Sequence, residues 1–158
     1  MTATNHAVTG AVITYAMASV GLAWLTLPVA FLSHFGLDAL PHYDDKNGLE
    51  DNARIAGQKF KRLLKVDALA CIGLVIIITI IHPAYWWLIC LGAFAATAPD
   101  LMWLPKFLRA LKGQPEQPNR RWYEKFHSWI QWCTGNNGKY VEAVWLGGMA
   151  GLLFYLII

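Results

Sequence analysis

The sequence predicts an all-α integral membrane protein folded as one domain over residues 1–158. Four transmembrane helices cross the bilayer, and two cytoplasmic amphipathic helices lie at its interface. Three observations carry this. The chain is 56% hydrophobic and only 15% charged, where a soluble domain carries about 25% charge. Its apolar residues gather into runs long enough to cross about 30 Å of hydrocarbon. All 13 Lys and Arg fall between Lys46 and Lys139, leaving the tails and the 82–84 turn without basic residues. The positive-inside rule then places both basic loops in the cytoplasm and both termini outside. The compartment is a bacterial-type inner (plasma) membrane. The net charge of +3 and pI near 8.8 follow from this topology and need no nucleic-acid partner.

The first span covers 7–32. The tail before it has no basic residue, so it is not a secretory leader, and His6 reads as a solvated tail residue. A polar loop follows. In it Ala56, Phe60, Leu63 and Leu64 share one helical face, as in a basic helix lying on anionic lipid. Spans 66–81 and 85–104 are separated only by His82-Pro83-Ala84 and form a hairpin, with His82 at its interfacial tip. Asp67 and Asp100 lie symmetrically about that tip and should share one depth. A turn-rich stretch, 113–119, leads to a second amphipathic helix over 120–133. Its aromatic face holds Trp122, Phe126 and Trp129, a density suited to headgroup level. Glu124, His127 and Gln131 share a different face. Thr134 to Gly138 ends that helix, and 140–158 is the last span. Gly147 and Gly151 form a GxxxG pair, which predicts close helix packing. The membrane setting allows a homo-oligomer or a larger complex. Cys71, Cys90 and Cys133 show neither disulfide nor zinc-ribbon spacing.

The chemistry concentrates at the end of span one. His34, Asp38 and His42 recur at i, i+4 and i+8, and Asp44 follows. Pro41 makes a kink or helix end likewise expected there. Topology brings Asp67, Asp100 and Glu142 to the same membrane level, with His127 on the interfacial helix. Carboxylates gathered in a low dielectric repel one another, and a bound cation removes that penalty. Imidazoles among the donors favour Zn, Mn or Fe over Mg. The expected metal ligands are therefore His34, Asp38, His42 and Asp100, with Asp44 and His127 as further ligands or acid/base groups. Arg120 and Arg121 could hold a lipid phosphate. The same carboxylates could instead cap helices or pair with Lys65, Lys106 or Arg109. Walker, GxSxG, HExxH and GxGxxG motifs are absent.

Ser33-His34 with Asp38, Pro41-His42 and Asp44, then Pro99-Asp100 with Trp103 and Phe126-His127, resembles small bacterial membrane-bound metal-dependent hydrolases. That resemblance implies metal-assisted hydrolysis and names no substrate. The expected function is a metal-dependent hydrolase at the cytoplasmic membrane face, acting on a lipid or another phosphate-containing substrate. The alternative is a non-catalytic membrane subunit or scaffold whose polar cluster is a structural metal or ion-pair site.

Overall fold

The structure is a computed structural model that describes residues 1–43, 57–81, 85–114 and 122–157. The helices are α1 (Ala3–Ser19), α2 (Thr26–Asp38), α3 (Gln58–Ile81), α4 (Trp86–Thr97), α5 (Leu104–Leu111), α6 (Trp122–Ile130) and α7 (Gly138–Ile157). Short 3-10 segments join α1 to α2 and α4 to α5. Among the described residues there is no strand, only an isolated bridge between His42 and Thr134.

The expected first span is two helices. α1 stops at Ser19, and Gly21 turns the chain with φ 79°, a conformation glycine adopts without steric cost. Pro28 then falls in the first turn of α2, where its missing N–H is tolerated. α1 and α2 pack against each other, so Met1 returns to the same end of the bundle as Asp38. The termini therefore do not share a side opposite the basic loops, as four spans would require. The N-terminus lies at the end where those loops begin. Among the described residues, one continuous helical stretch, Trp86–Leu111, is long and apolar enough to cross a membrane.

α1 is the central element and packs against α2, α3, α4 and α7. Val8, Ala11 and Val12 meet Ile78, Ile89 and Leu153 in the apolar core. α1 crosses α4 with Gly10 against Gly92. A Cβ at Gly10 would strike the Gly92 carbonyl, and one at Gly92 would strike the Thr14 side chain. Gly147 and Gly151 face open space instead, so the close approach expected of that pair belongs to α1 and α4.

The first turn of α1 is buried and holds no acidic residue of its own. Its free amides need acceptors, and other helices supply them. Asp67 of α3 accepts from the Ala3 and Thr4 amides at 2.7 and 3.0 Å, and from the Thr4 hydroxyl at 2.6 Å. Glu142 of α7 accepts from the Thr2 amide at 3.1 Å and the Tyr43 amide at 2.8 Å. These carboxylates also complement the positive end of the α1 dipole. Asp67 and Glu142 thus reach the expected level but serve as caps for another helix.

Candidate metal centre

Three elements converge beside the start of α1. α2 continues regularly to Asp38, so His34 and Asp38 share a face, and His34 Nε2 stands 3.3 Å from Asp38 Oδ2. Pro99 lies in the first turn of a 3-10 segment, Ala98–Trp103. That tighter winding carries Asp100 toward α2, with Oδ1 3.7 Å from His34 Nε2. α6 turns its aromatic face outward, with Trp122 and Trp129 exposed, and its polar face inward. His127 Nε2 lies 3.0 Å from Asp38 Oδ2, and Gln131 Nε2 donates to the same oxygen at 3.0 Å.

His34, Asp38, Asp100 and His127 each offer one ligand atom, all within 4.8 Å of one another, and this group could hold a metal ion. His34, Asp38 and His127 are buried. The Asp100 side chain is 38% exposed, so the cluster opens at that corner.

The outer partners of the two imidazoles set different roles. The Ala96 carbonyl, 2.9 Å from His34 Nδ1, can only accept, so His34 carries its proton on Nδ1. Its Nε2 lone pair then faces the cluster, 3.1 Å from His127 Nε2, the side from which a ligating histidine usually binds its metal. The Trp103 indole donates to His127 Nδ1 at 3.3 Å. A neutral His127 therefore carries its proton on Nε2, between Asp38 Oδ2 at 3.0 Å and His34 Nε2 at 3.1 Å. His34 thus presents a lone pair to the cluster, and His127 an N–H. Nitrogen-15 histidine NMR should show His127 as the Nε2–H tautomer. Trp103→Phe should move it toward a mixture, changing the tautomer ratio by up to about tenfold for the loss of one hydrogen bond. A His127 already protonated on Nδ1 in the unaltered protein would remove this assignment.

Several expectations change here. His42 lies outside the four-residue group, because the helix ends at Asp38 and the i+8 position is no longer helical. Its main chain instead pairs with the segment before α7, His42 N donating to Cys133 O at 3.2 Å and Gly135 N to His42 O at 3.1 Å. Its Nδ1 donates to the Leu40 carbonyl at 2.9 Å. Burial holds the His42 imidazole below the ordinary histidine range.

His6, expected in a solvated tail, is 0% exposed. It stacks on His34 with ring centroids 4.0 Å apart, and its Nε2 lies 3.2 Å from Asp38 Oδ1. The hairpin of α1 and α2 brings it there. Asp44, Arg120, Arg121 and His82 lie outside the described residues.

No family model, curated protein or solved structure matches this chain. Function is therefore argued from the site.

Proposed function

We propose that the protein is a metal-dependent hydrolase embedded in a bacterial-type plasma membrane, with its site at the cytoplasmic face and a lipid or other phosphate ester as substrate. The observation that carries this reading is the convergence of two imidazoles and two carboxylates within 4.8 Å, in a chain that otherwise turns its apolar residues outward. Leu69, Ile72, Ile76 and Ile80 lie exposed along α3, Leu91 and Phe94 on α4, and Val144 and Phe154 on α7. In water such a surface is an aggregation liability, while in lipid it is the natural exterior. Ionisable groups buried inside that exterior point to function.

In this reading α1, α2, α3, α4 and α7 lie in the membrane. The basic loops and the N-terminus share the cytoplasmic side, and the C-terminus is external. The exposed tryptophans of α6 then sit at headgroup level, beside the site. His34, Asp38 and Asp100 hold the cation, with Zn, Mn or Fe preferred over Mg for its imidazole donors. A bound divalent ion supplies Lewis acidity and lowers the pKa of a water. His127 holds a proton beside the same carboxylate, where it can serve as general acid or base. The Asp100 corner admits the substrate.

The test is elemental analysis of protein purified without chelators, followed by turnover of a lipid phosphate in mixed micelles. The expected result is stoichiometric metal and a hydrolysis that Asp100→Asn abolishes. Protein free of metal would overturn the hydrolase reading. Bound metal with no turnover of lipid or soluble phosphate esters would favour a structural site in a membrane scaffold.

A further inference from the structure

The centre opens at Asp100, and the character of that opening decides where a substrate comes from. Asp100 lies in the 3-10 segment Ala98–Trp103. Such a segment winds at three residues per turn, so positions i and i+3 share a side. Asp100 and Trp103 take the side facing the cluster, where they meet His34 and His127. The next side carries Leu101 and Leu104, 53% and 49% exposed. The third carries Met102 and Pro105, both exposed. Asp100 is the only ionisable residue from Ala98 to Pro105. α6 repeats the arrangement. It turns His127 inward and leaves Phe126 and Trp129 exposed, their ring centroids 6.2 Å apart. A contiguous apolar rim of this kind marks a surface that docks on something, not a mouth wetted on all sides.

Charge identifies what the rim docks on. Two residues past Leu104, Lys106 Nζ stands 5.4 Å from the centroid of the Trp103 ring, the same indole that donates to His127. Arg109 follows at i+3 on that edge of α5. Leu104, Leu108 and Leu111 hold the opposite edge, and all three are exposed. A leucine edge and a cationic edge on one short helix are the pattern of an element lying on anionic lipid.

We infer that the mouth of the centre opens into the cytoplasmic leaflet, and that the substrate is the phosphate ester of an anionic lipid, which enters sideways with its chains left in the bilayer. This rests on the metal-dependent reading above and fixes the source of the phosphate. The headgroup meets Lys106 and Arg109 at the rim and reaches the ion beside Asp100. The chains stay against Leu101 and Leu104. No methylene is withdrawn from the bilayer, a cost that a mouth facing water would impose.

The experiment has two arms, both on the full chain. In the first, Leu101→Cys and Leu104→Cys each carry a nitroxide, with Cys71, Cys90 and Cys133 changed to Ala. The protein sits in vesicles of phosphatidylcholine and phosphatidylglycerol in equal parts. Dissolved oxygen, which concentrates in lipid, should relax both labels more than a water-soluble nickel chelate does. A label on Lys112→Cys, just past the end of α5, should show the reverse. A nickel preference at both leucine positions, with unfolding midpoints like that of the unaltered protein, overturns the inference and leaves the metal centre intact. Shielding from both reagents would mean that a second copy of the chain covers the rim, and overturns it as well. The second arm uses unaltered protein. It compares phosphatidic acid and phosphatidylglycerol in mixed micelles with glycerol phosphate and glycerophosphoglycerol, the same headgroups without chains. The better lipid should exceed its chain-free counterpart in kcat/KM by about 100-fold or more, the gain of a substrate held at two points. Equal kcat/KM overturns the inference. Turnover of none of the four removes the hydrolase reading, and this substrate with it.

Discussion

Asp38→Ala is expected to unfold the site end of the bundle as well as empty it of metal. The carboxylate is approached by the Met1 nitrogen at 2.6 Å and by His6, His34, His127 and Gln131 between 3.0 and 3.3 Å. These groups come from α1 with the residue Met1 before it, from α2 itself, and from α6 with the residue just beyond it. Alanine leaves them facing one another with no acceptor at the centre. Removing one partner from a buried charged network costs about 3–5 kcal/mol. A thermal or denaturant unfolding series in detergent, without added metal, should show a loss of that size. The companion variant Asp100→Asn touches the exposed corner and should lose metal with a much smaller change in stability. A loss below about 1 kcal/mol for Asp38→Ala would mean that the cluster does not hold these helices together.

The second large effect is expected where no chemistry occurs. Gly10→Ala adds a single methyl group, but the atom it meets is the main-chain carbonyl of Gly92, which cannot rotate away as a side chain could. α1 and α4 must separate, and every contact along their crossing suffers. Overpacking of this kind costs about 1–3 kcal/mol, against a helix-propensity gain near 1 kcal/mol. Gly148→Ala collects the same gain with nothing within 4 Å of the new methyl. The two variants should therefore move the unfolding midpoint in opposite directions. Equal shifts would show that the α1–α4 crossing is not tightly packed.

All four residues of the centre carry signals in the sequence, because those signals depend on local geometry. His34 and Asp38 share a helical face at i, i+4. Asp100 follows a proline within an apolar stretch, and His127 and Gln131 stand opposite the tryptophans of their helix. The rest depends on how helices meet. The run 7–32 has the length of one tilted span, and its length outweighed the break signals inside it. Gly21 and Pro28 were those signals, a lone glycine and a proline seven residues apart. Missing that turn sends Met1 to the wrong end of the bundle and hides His6, whose place depends on α1 folding back along α2. His42 fails for the opposite reason: the periodic pattern runs past Asp38, where the helix already ends. The destinations of Asp67 and Glu142 were out of reach, since a carboxylate that caps a different helix leaves no spacing pattern behind.

That capping has a consequence for how the chain is made. The amides of Ala3 and Thr4 find their acceptor 64 and 63 residues later, and the Thr2 amide finds Glu142 140 residues later. The Thr9 hydroxyl receives the Trp145 indole proton, 136 residues on. During synthesis α1 leaves the ribosome before α3 and α7, with its leading turn bare. It cannot settle until α3 arrives, and its packing is completed only by α7. The central helix thus waits for elements made long after it before its packing is complete. A ribosome stalled before α7 would hold a protein whose central column still stands open on one side.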